Sequence, residues 1–123
     1  CNAQRVRSLN LSYHHGYGGG GPVTKDVIQT SRKAVYLPDA DVVVSGHTHD
    51  SWIFEIPRVR LKANGEQEVE YQTHIKTGNY KDEYTCGGGW AVEKGMPPKK
   101  IGSVWMRLFF EREDIQREFV LTT

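Results

Sequence analysis

The sequence predicts an α/β fold in which one strand–helix–strand unit is followed by a β-meander. Residues 8–13 alternate between polar and apolar side chains, as a half-buried strand does, and residues 42–44 are three consecutive valines. Between these strands, the apolar residues of segment 23–37 recur with the spacing of an amphipathic helix, with Pro22 near its first turn and Pro38 after its end. A right-handed crossover through this helix makes the two strands parallel and brings their carboxyl ends to one edge of the sheet.

The rest of the chain is predicted to consist mainly of strands. Asn64-Gly65 separates two alternating segments and is a strong signal for a hairpin turn. Residues 86–102 are rich in glycine and proline and are predicted to form a long loop. The predicted strands of this region cover residues 51–57, 59–63, 68–75, 104–110 and 116–121.

Four ring-bearing residues of this β-rich region are expected to have structural roles. Trp52, Trp90 and Trp105 are predicted to be core or loop anchors rather than platforms on which bases stack. His74 lies within a predicted strand and belongs to no motif, so we expect a partly exposed strand residue.

Two histidine clusters directly follow the two parallel strands. His14-His15-Gly16 comes after the first strand, and Gly46-His47-Thr48-His49 comes after the second. Ligands of open α/β sheets bind outside the carboxyl ends of the strands, and imidazole is the commonest metal ligand in proteins. The sequence therefore predicts a pocket for a metal or a phosphate group at this edge of the sheet.

This arrangement resembles the last two metal-binding motifs of the calcineurin-like metallophosphoesterases. In that family an isolated histidine ends one strand, and a Gly-His-x-His motif follows the next. The glycine-rich continuation over 16–21 is similar to members often found in phage and prophage genomes, and segment 77–80 resembles the short segment that closes the family's second sheet. The resemblance spans about residues 6–80. It implies that residues 1–123 are a single partial domain, the carboxyl-terminal part of an αββα sandwich.

The resemblance also implies a set of site residues. His14, His47 and His49 correspond to metal ligands, with His15 as a second-shell residue or the alternative to His14. Gly16 and Gly18 would let backbone amides approach a phosphate. The intact enzyme would bind two divalent ions, and imidazole ligands suit Mn, Zn, Fe or Ni without selecting one of them.

The family's upstream motifs are not among the 123 residues. These are Asp-x-His, Gly-Asp-x-x-Asp and Asn-His, which carry the bridging carboxylate and the proton donor. We therefore expect a fragment of a hydrolase that cleaves phosphate mono- or diesters and that is inactive alone. Nucleotides and nucleic acids are the candidate substrates. The missing half would also leave a face of the sheet open, which favours a homodimer or strand exchange. The alternative is a non-catalytic module for metal binding or protein interaction.

The glycines after His15 also match two nucleotide-binding fingerprints in spacing. Gly16-x-Gly18-x-x-Gly21 has the spacing of the dinucleotide motif, and Asp41 lies about twenty residues further on. In that fold the acidic residue ends the second strand, whereas Asp41 precedes it. A Walker loop is excluded because Pro22 stands where its lysine is required.

Composition and charge agree with part of an ordinary globular enzyme. The chain is 37 % hydrophobic and 25 % charged, and no apolar run approaches the length of about 18 residues that a membrane span needs. We expect a cytoplasmic protein with no membrane partner, in which Cys1 and Cys86 are reduced thiols. Residues 1–37 carry a net charge of +4 against −3 for the remainder. This excess would favour a phosphate substrate, although it is also typical of a solvated helix face.

Overall fold

The computed structural model describes residues 7–18, 21, 23–85, 88–112 and 114–122. The chain is a mixed α/β protein with few helices and two sheets, which agrees with the predicted fold class. The predictions for Cys1, Cys86 and Pro22 lie outside the described residues. No described helix has the length and apolar character needed to span a membrane. The elements are β1 (Leu11–His14), α1 (Val27–Tyr36), β2 (Val42–Ser45), β3 (Trp52–Leu61), β4 (Gln67–Lys76), α2 (Trp90–Glu93), β5 (Val104–Glu111) and β6 (Asp114–Leu121).

The predicted strand–helix–strand unit is confirmed. β1 and β2 are parallel neighbours, paired from Leu11 opposite Val42 to His14 opposite Ser45, and α1 connects them. Both strands therefore end at the same edge of the sheet, and the two histidine clusters follow at that edge.

Helix α1 begins four residues later than the start of the predicted segment. Lys25 and Asp26 have φ values of 46° and 66°, which a right-handed helix does not allow. The Val27 amide instead closes a turn by donating to the Thr24 carbonyl, and the helical ladder starts with Thr30 donating to the Asp26 carbonyl. The end of the helix agrees with the prediction, since Pro38 follows closely.

The predicted β-meander is wrong in its order of strands. β3 and β4 form the expected hairpin, in which Gly65 adopts a φ of 86°, but β4 also pairs with β2 in parallel. The four-stranded sheet therefore has the order β1-β2-β4-β3, and β3 lies at its edge. Burial gives the physical reason, because β4 is fully buried over residues 72–76 whereas most of β3 is not. The edge position also accommodates Pro57 within an unbroken β3, since an edge strand can do without one ladder donor.

One face of β4 forms a buried polar layer that contacts the segments on either side of α1. This face carries every second residue of the strand, namely Gln72, His74 and Lys76, and each of them is at most 2 % exposed. The Gln72 amide donates to the carbonyls of Leu37 and Ala40, at 2.6 and 2.8 Å, and its oxygen lies 2.7 Å from His74 Nε2. The expectation of a partly exposed His74 is wrong because its strand is central in the sheet.

β5 and β6 form a separate two-stranded sheet, as the sequence predicts for this pair. The side chain of Arg117 in β6 donates to the Tyr71 carbonyl in β4 and so ties this ribbon to the larger sheet. Trp105 on β5 is 69 % exposed and Trp90 is 61 % exposed, so neither is a core anchor. Trp52 is half-buried, and its indole N–H donates to the Lys25 carbonyl at 3.0 Å, which is the anchoring role expected of it.

Candidate metal and phosphate site

Three parallel strands end side by side at the carboxyl edge of the four-stranded sheet. β1 ends at His14, β2 at Ser45 and β4 at Lys76, in adjacent positions of the ladder. The segments that leave these strands surround a cavity of about 650 Å³. Its polar lining residues include His15, His47, Thr48, His49, Asn79 and Lys81.

His15 and His47, which both line the cavity, form a contacting pair. Nε2 of His15 lies 3.0 Å from Nδ1 of His47, and the two rings are nearly perpendicular with centroids 5.0 Å apart. One ring carries the shared proton and the other accepts it. The Gly46 amide also donates to the His15 carbonyl at 3.1 Å, so backbone and side chains together hold the two loops in register.

His14, the preferred ligand in the sequence prediction, lies elsewhere. It is half-buried, its ring is 6.3 Å from that of Tyr17, and it does not line the cavity. In the ladder His14 pairs with Ser45 and Ser45 with Lys76, which contacts Asp26 directly before α1. His14 therefore points to the face of the sheet that α1 covers, because paired residues share a face. His15, one residue further on, is the one that reaches the cavity.

The Gly46-His47-Thr48-His49 loop has an unusual backbone. His47 and His49 have φ values of 70° and 57°, in the left-handed region that side chains rarely adopt. Such conformations persist only where the surrounding structure holds them, and they concentrate at functional sites. Here the loop turns sharply and leaves both imidazoles exposed at the cavity.

Gly16 and Gly18 both have positive φ values, of 94° and 88°. A Cβ atom on Gly16 would lie 3.1 Å from the Gly46 carbonyl oxygen and 3.3 Å from Cβ of His47, so glycine is required for the close approach of the two loops. A Cβ atom on Gly18, which lines the cavity, would meet no atom within 4 Å. Their predicted role in admitting a phosphate stays a prediction.

The ring nitrogens of His15 and His47 have the spacing of two ligands in a metal site. Two imidazole nitrogens bound to one ion at about 2.0–2.1 Å are separated by about 2.9–3.4 Å, and His15 and His47 are already 3.0 Å apart. His49 lines the same cavity. Within the described parts of the chain, however, no three His, Cys, Asp or Glu side chains are grouped closely enough to hold an ion.

A flap, defined as residues 79–85 and 88–102, supplies much of the rest of the lining. Its ends are joined by hydrogen bonds of 3.0 Å from the Asn79 amide to the Lys100 carbonyl and from the Gly102 amide to the Asn79 carbonyl. The Lys81 ammonium group makes no ion pair with any residue that the structure describes. Sequence reasoning missed Asn79 and Lys81 because their position depends on β4 being parallel to β2.

Two carboxylates stabilise the flap. Asp50, directly after His49, is 6 % exposed, and its Oδ1 accepts a hydrogen bond of 2.8 Å from the Lys99 ammonium group. Asp82 accepts hydrogen bonds from Thr85 and from the Tyr84 amide, and the Thr85 hydroxyl contributes most to holding the pKa of Asp82 below its ordinary value. Both carboxylates therefore make hydrogen bonds that stabilise the flap.

Comparison of this chain with protein-family models, with curated proteins and with solved structures finds no match.

Proposed function

We propose that this chain supplies the histidine wall of a metal-dependent phosphoesterase that cleaves phosphate mono- or diesters. The observation that carries the proposal is the convergence of His15 and His47 at the carboxyl ends of two parallel strands, with His49 on the same cavity. The proposal assigns the strand-end ligand to His15 rather than to His14, because His15 is the residue that contacts His47. The αββα sandwich and the cytoplasmic location implied by the sequence belong to the same proposal.

Each residue of the site has a distinct task in the proposed reaction. His15 and His47 would hold one divalent ion, His49 would hold the second, and Lys81 would attract the negatively charged ester. The ions, when bound, lower the pKa of a coordinated water and neutralise charge on the phosphate oxygens. The remaining ligands correspond to the Asp-x-His and Gly-Asp-x-x-Asp motifs, which another segment or chain has to supply.

A non-catalytic module is the second candidate, and two observations favour it. Among the described residues no three donors form a metal group, and the His15 and His47 rings satisfy each other by hydrogen bonding. In this alternative the pair has a structural role, and the two loops need no ion to hold them together.

Metal titration of single variants separates the two candidates. Binding of Zn²⁺ and Mn²⁺, followed by calorimetry, is expected for the unmodified chain. His15→Ala and His47→Ala should each weaken binding by at least about 10- to 100-fold, since even second-shell partners of a metal contribute that much. His14→Ala is the matched control, because its ring lies outside the cavity, and it should bind as the unmodified chain does.

Two outcomes would contradict the proposal. One is the absence of metal binding by the folded chain, with the strands verified by circular dichroism. The other is loss of binding in His14→Ala with binding retained in His15→Ala, which would return the ligand assignment to His14.

A further inference from the structure

The cavity is lined by apolar side chains as well as by the histidines. The flap contributes an apolar wall, which consists of Trp90, Met96, Pro97, Pro98 and Ile101. Trp90, the largest of these side chains, is 61 % exposed, and Met96 and Ile101 are 41 % and 40 % exposed. A bulky aromatic ring that lines a cavity and is left uncovered offers a flat surface to a ligand.

Hydrogen bonds fix the position of this wall. The Ala91 amide, in the helix that Trp90 begins, donates to Glu83 Oε2 at 2.8 Å. The Tyr84 hydroxyl donates to the Met96 carbonyl, and the Lys99–Asp50 pair ties the same segment to the residue after His49. The apolar wall is therefore held against the histidine loop and does not depend on a ligand for its shape.

The size of the cavity restricts what it would bind. Pockets for organic ligands typically measure about 300–1,000 Å³, and this one measures about 650 Å³, far more than a phosphate ion fills. Glu83 and Asp82 are committed to hydrogen bonds within the flap, whereas Lys81 has no acidic partner among the described residues. A ligand that matches this lining carries an anionic group for the histidines and Lys81 and a planar apolar group for Trp90.

We infer that the apolar wall is a subsite for the aromatic ring of a phosphate ester, with Trp90 as the residue that stacks on it. The class of ligand is a ring-bearing phosphate ester such as a nucleotide or an aryl phosphate. The position of the phosphate rests on the proposed function above, whereas the ring subsite depends only on the flap. Trp90 thus determines substrate choice, and the histidines carry the chemistry.

Ligand-observed NMR titration tests the subsite without requiring turnover. The probes are adenosine, which has the ring but no phosphate, and inorganic phosphate, which has no ring. Adenosine is expected to bind the unmodified chain, and Trp90→Ala should raise its dissociation constant about ten-fold or more, because stacking of a base on an aromatic side chain contributes that much. Trp90→Phe should retain most of the affinity.

Trp105→Ala is the matched control. Trp105 is 69 % exposed, as accessible as Trp90, but it lies on β5 and does not line the cavity. Its removal should leave the dissociation constant for adenosine unchanged. The inference is overturned if adenosine does not bind, if Trp90→Ala binds it normally, or if Trp105→Ala weakens it equally.

Zn²⁺ titration of the same samples distinguishes failure of the subsite from failure of the proposed function. Metal binding without adenosine binding overturns the subsite and leaves the phosphoesterase proposal standing. Adenosine binding that depends on Trp90 but occurs in a chain that binds no metal supports the subsite and contradicts the phosphoesterase. Trp90→Ala should bind Zn²⁺ as the unmodified chain does, which also verifies that its fold is intact.

Discussion

Gly16 is the residue whose replacement should disturb the histidine pair most directly. Alanine at this position is strained by a φ of 94° and would also press on the Gly46 carbonyl and on His47. A left-handed conformation costs an L-residue about 1–2 kcal/mol, and overpacking adds about 1–3 kcal/mol. We expect Gly16→Ala to lower the free energy of unfolding by more than 2 kcal/mol, measured by urea denaturation.

Gly18→Ala separates backbone strain from steric overlap, which are the two contributions to the destabilisation expected for Gly16→Ala. Gly18 has a nearly equal φ of 88°, but an added methyl group there meets no atom within 4 Å. The backbone cost of about 1–2 kcal/mol should therefore remain and the steric cost should vanish. Equal destabilisation by the two substitutions would mean that the approach of Gly16 to the histidine loop does not matter.

At the scale of residues, the sequence located the two histidine loops but not the orientation of each ring. The motif Gly46-His47-Thr48-His49 was visible because glycine and two histidines directly follow a run of valines. The choice between His14 and His15 depended on which face of β1 the helix covers. A shift of one residue reverses the face, so the sequence left this choice open.

Lys76 connects β4 to the start of α1 through an ion pair that is out of contact with water. Its ammonium group contacts Asp26 Oδ2, and the two side chains are 0 % and 1 % exposed. Replacing one partner leaves the other charge buried without compensation, which costs about 3–5 kcal/mol. We expect Lys76→Met to lower the free energy of unfolding by about this amount, measured by guanidinium denaturation.

Lys62→Met serves as the control at the far end of the same hairpin. Lys62 lies 3.3 Å from Glu68, but the side chains are 43 % and 54 % exposed. Exposed pairs contribute about 0–1 kcal/mol, so this substitution should change stability little. Equal stability of Lys76→Met and Lys62→Met would contradict a stabilising role for the buried Lys76–Asp26 pair. The same conclusion would follow if adding Asp26→Asn to Lys76→Met recovered none of the lost free energy of unfolding.

At the scale of elements, local sequence patterns predicted the pairing of strands that are close in sequence, but not the order of strands across the sheet. The parallel pair β1 and β2, the Asn64-Gly65 hairpin and the β5–β6 pair each follow from signals within a short segment. The insertion of β4 beside β2 does not, because it depends on burying Gln72, His74 and Lys76 beneath a helix about forty residues away in sequence. Polar residues on a central strand gave no hydrophobic signal for that position.

At the scale of the whole molecule, β1 forms an open edge of the four-stranded sheet. We expect the protein to associate with a second copy through this edge. β1 has a strand neighbour on one side only among the described residues, and Leu11 and Tyr13 on one of its faces are 42 % and 80 % exposed. An uncovered edge with apolar side chains favours pairing with a second copy. Sedimentation velocity should therefore detect a dimer that dissociates on dilution.

A lysine on the edge strand should prevent this association. Tyr13→Lys places a charge where the second copy would pack, so the monomer should dominate at all concentrations. Tyr80→Lys is the matched control, because Tyr80 is 89 % exposed but lies outside the sheet. A monomeric unmodified chain, or equal effects of the two substitutions, would contradict dimerisation through β1.

The sequence by itself determined the α/β class, the position of the parallel strands and the presence of histidines at their ends. These features follow from periodicity and from adjacency along the chain, which act over a few residues. Only the tertiary structure decided that His15 rather than His14 meets His47, and that Asn79, Lys81 and Trp90 complete the cavity. The physical reason is that the packing of α1 on the sheet and the insertion of β4 bring together segments that no local pattern connects.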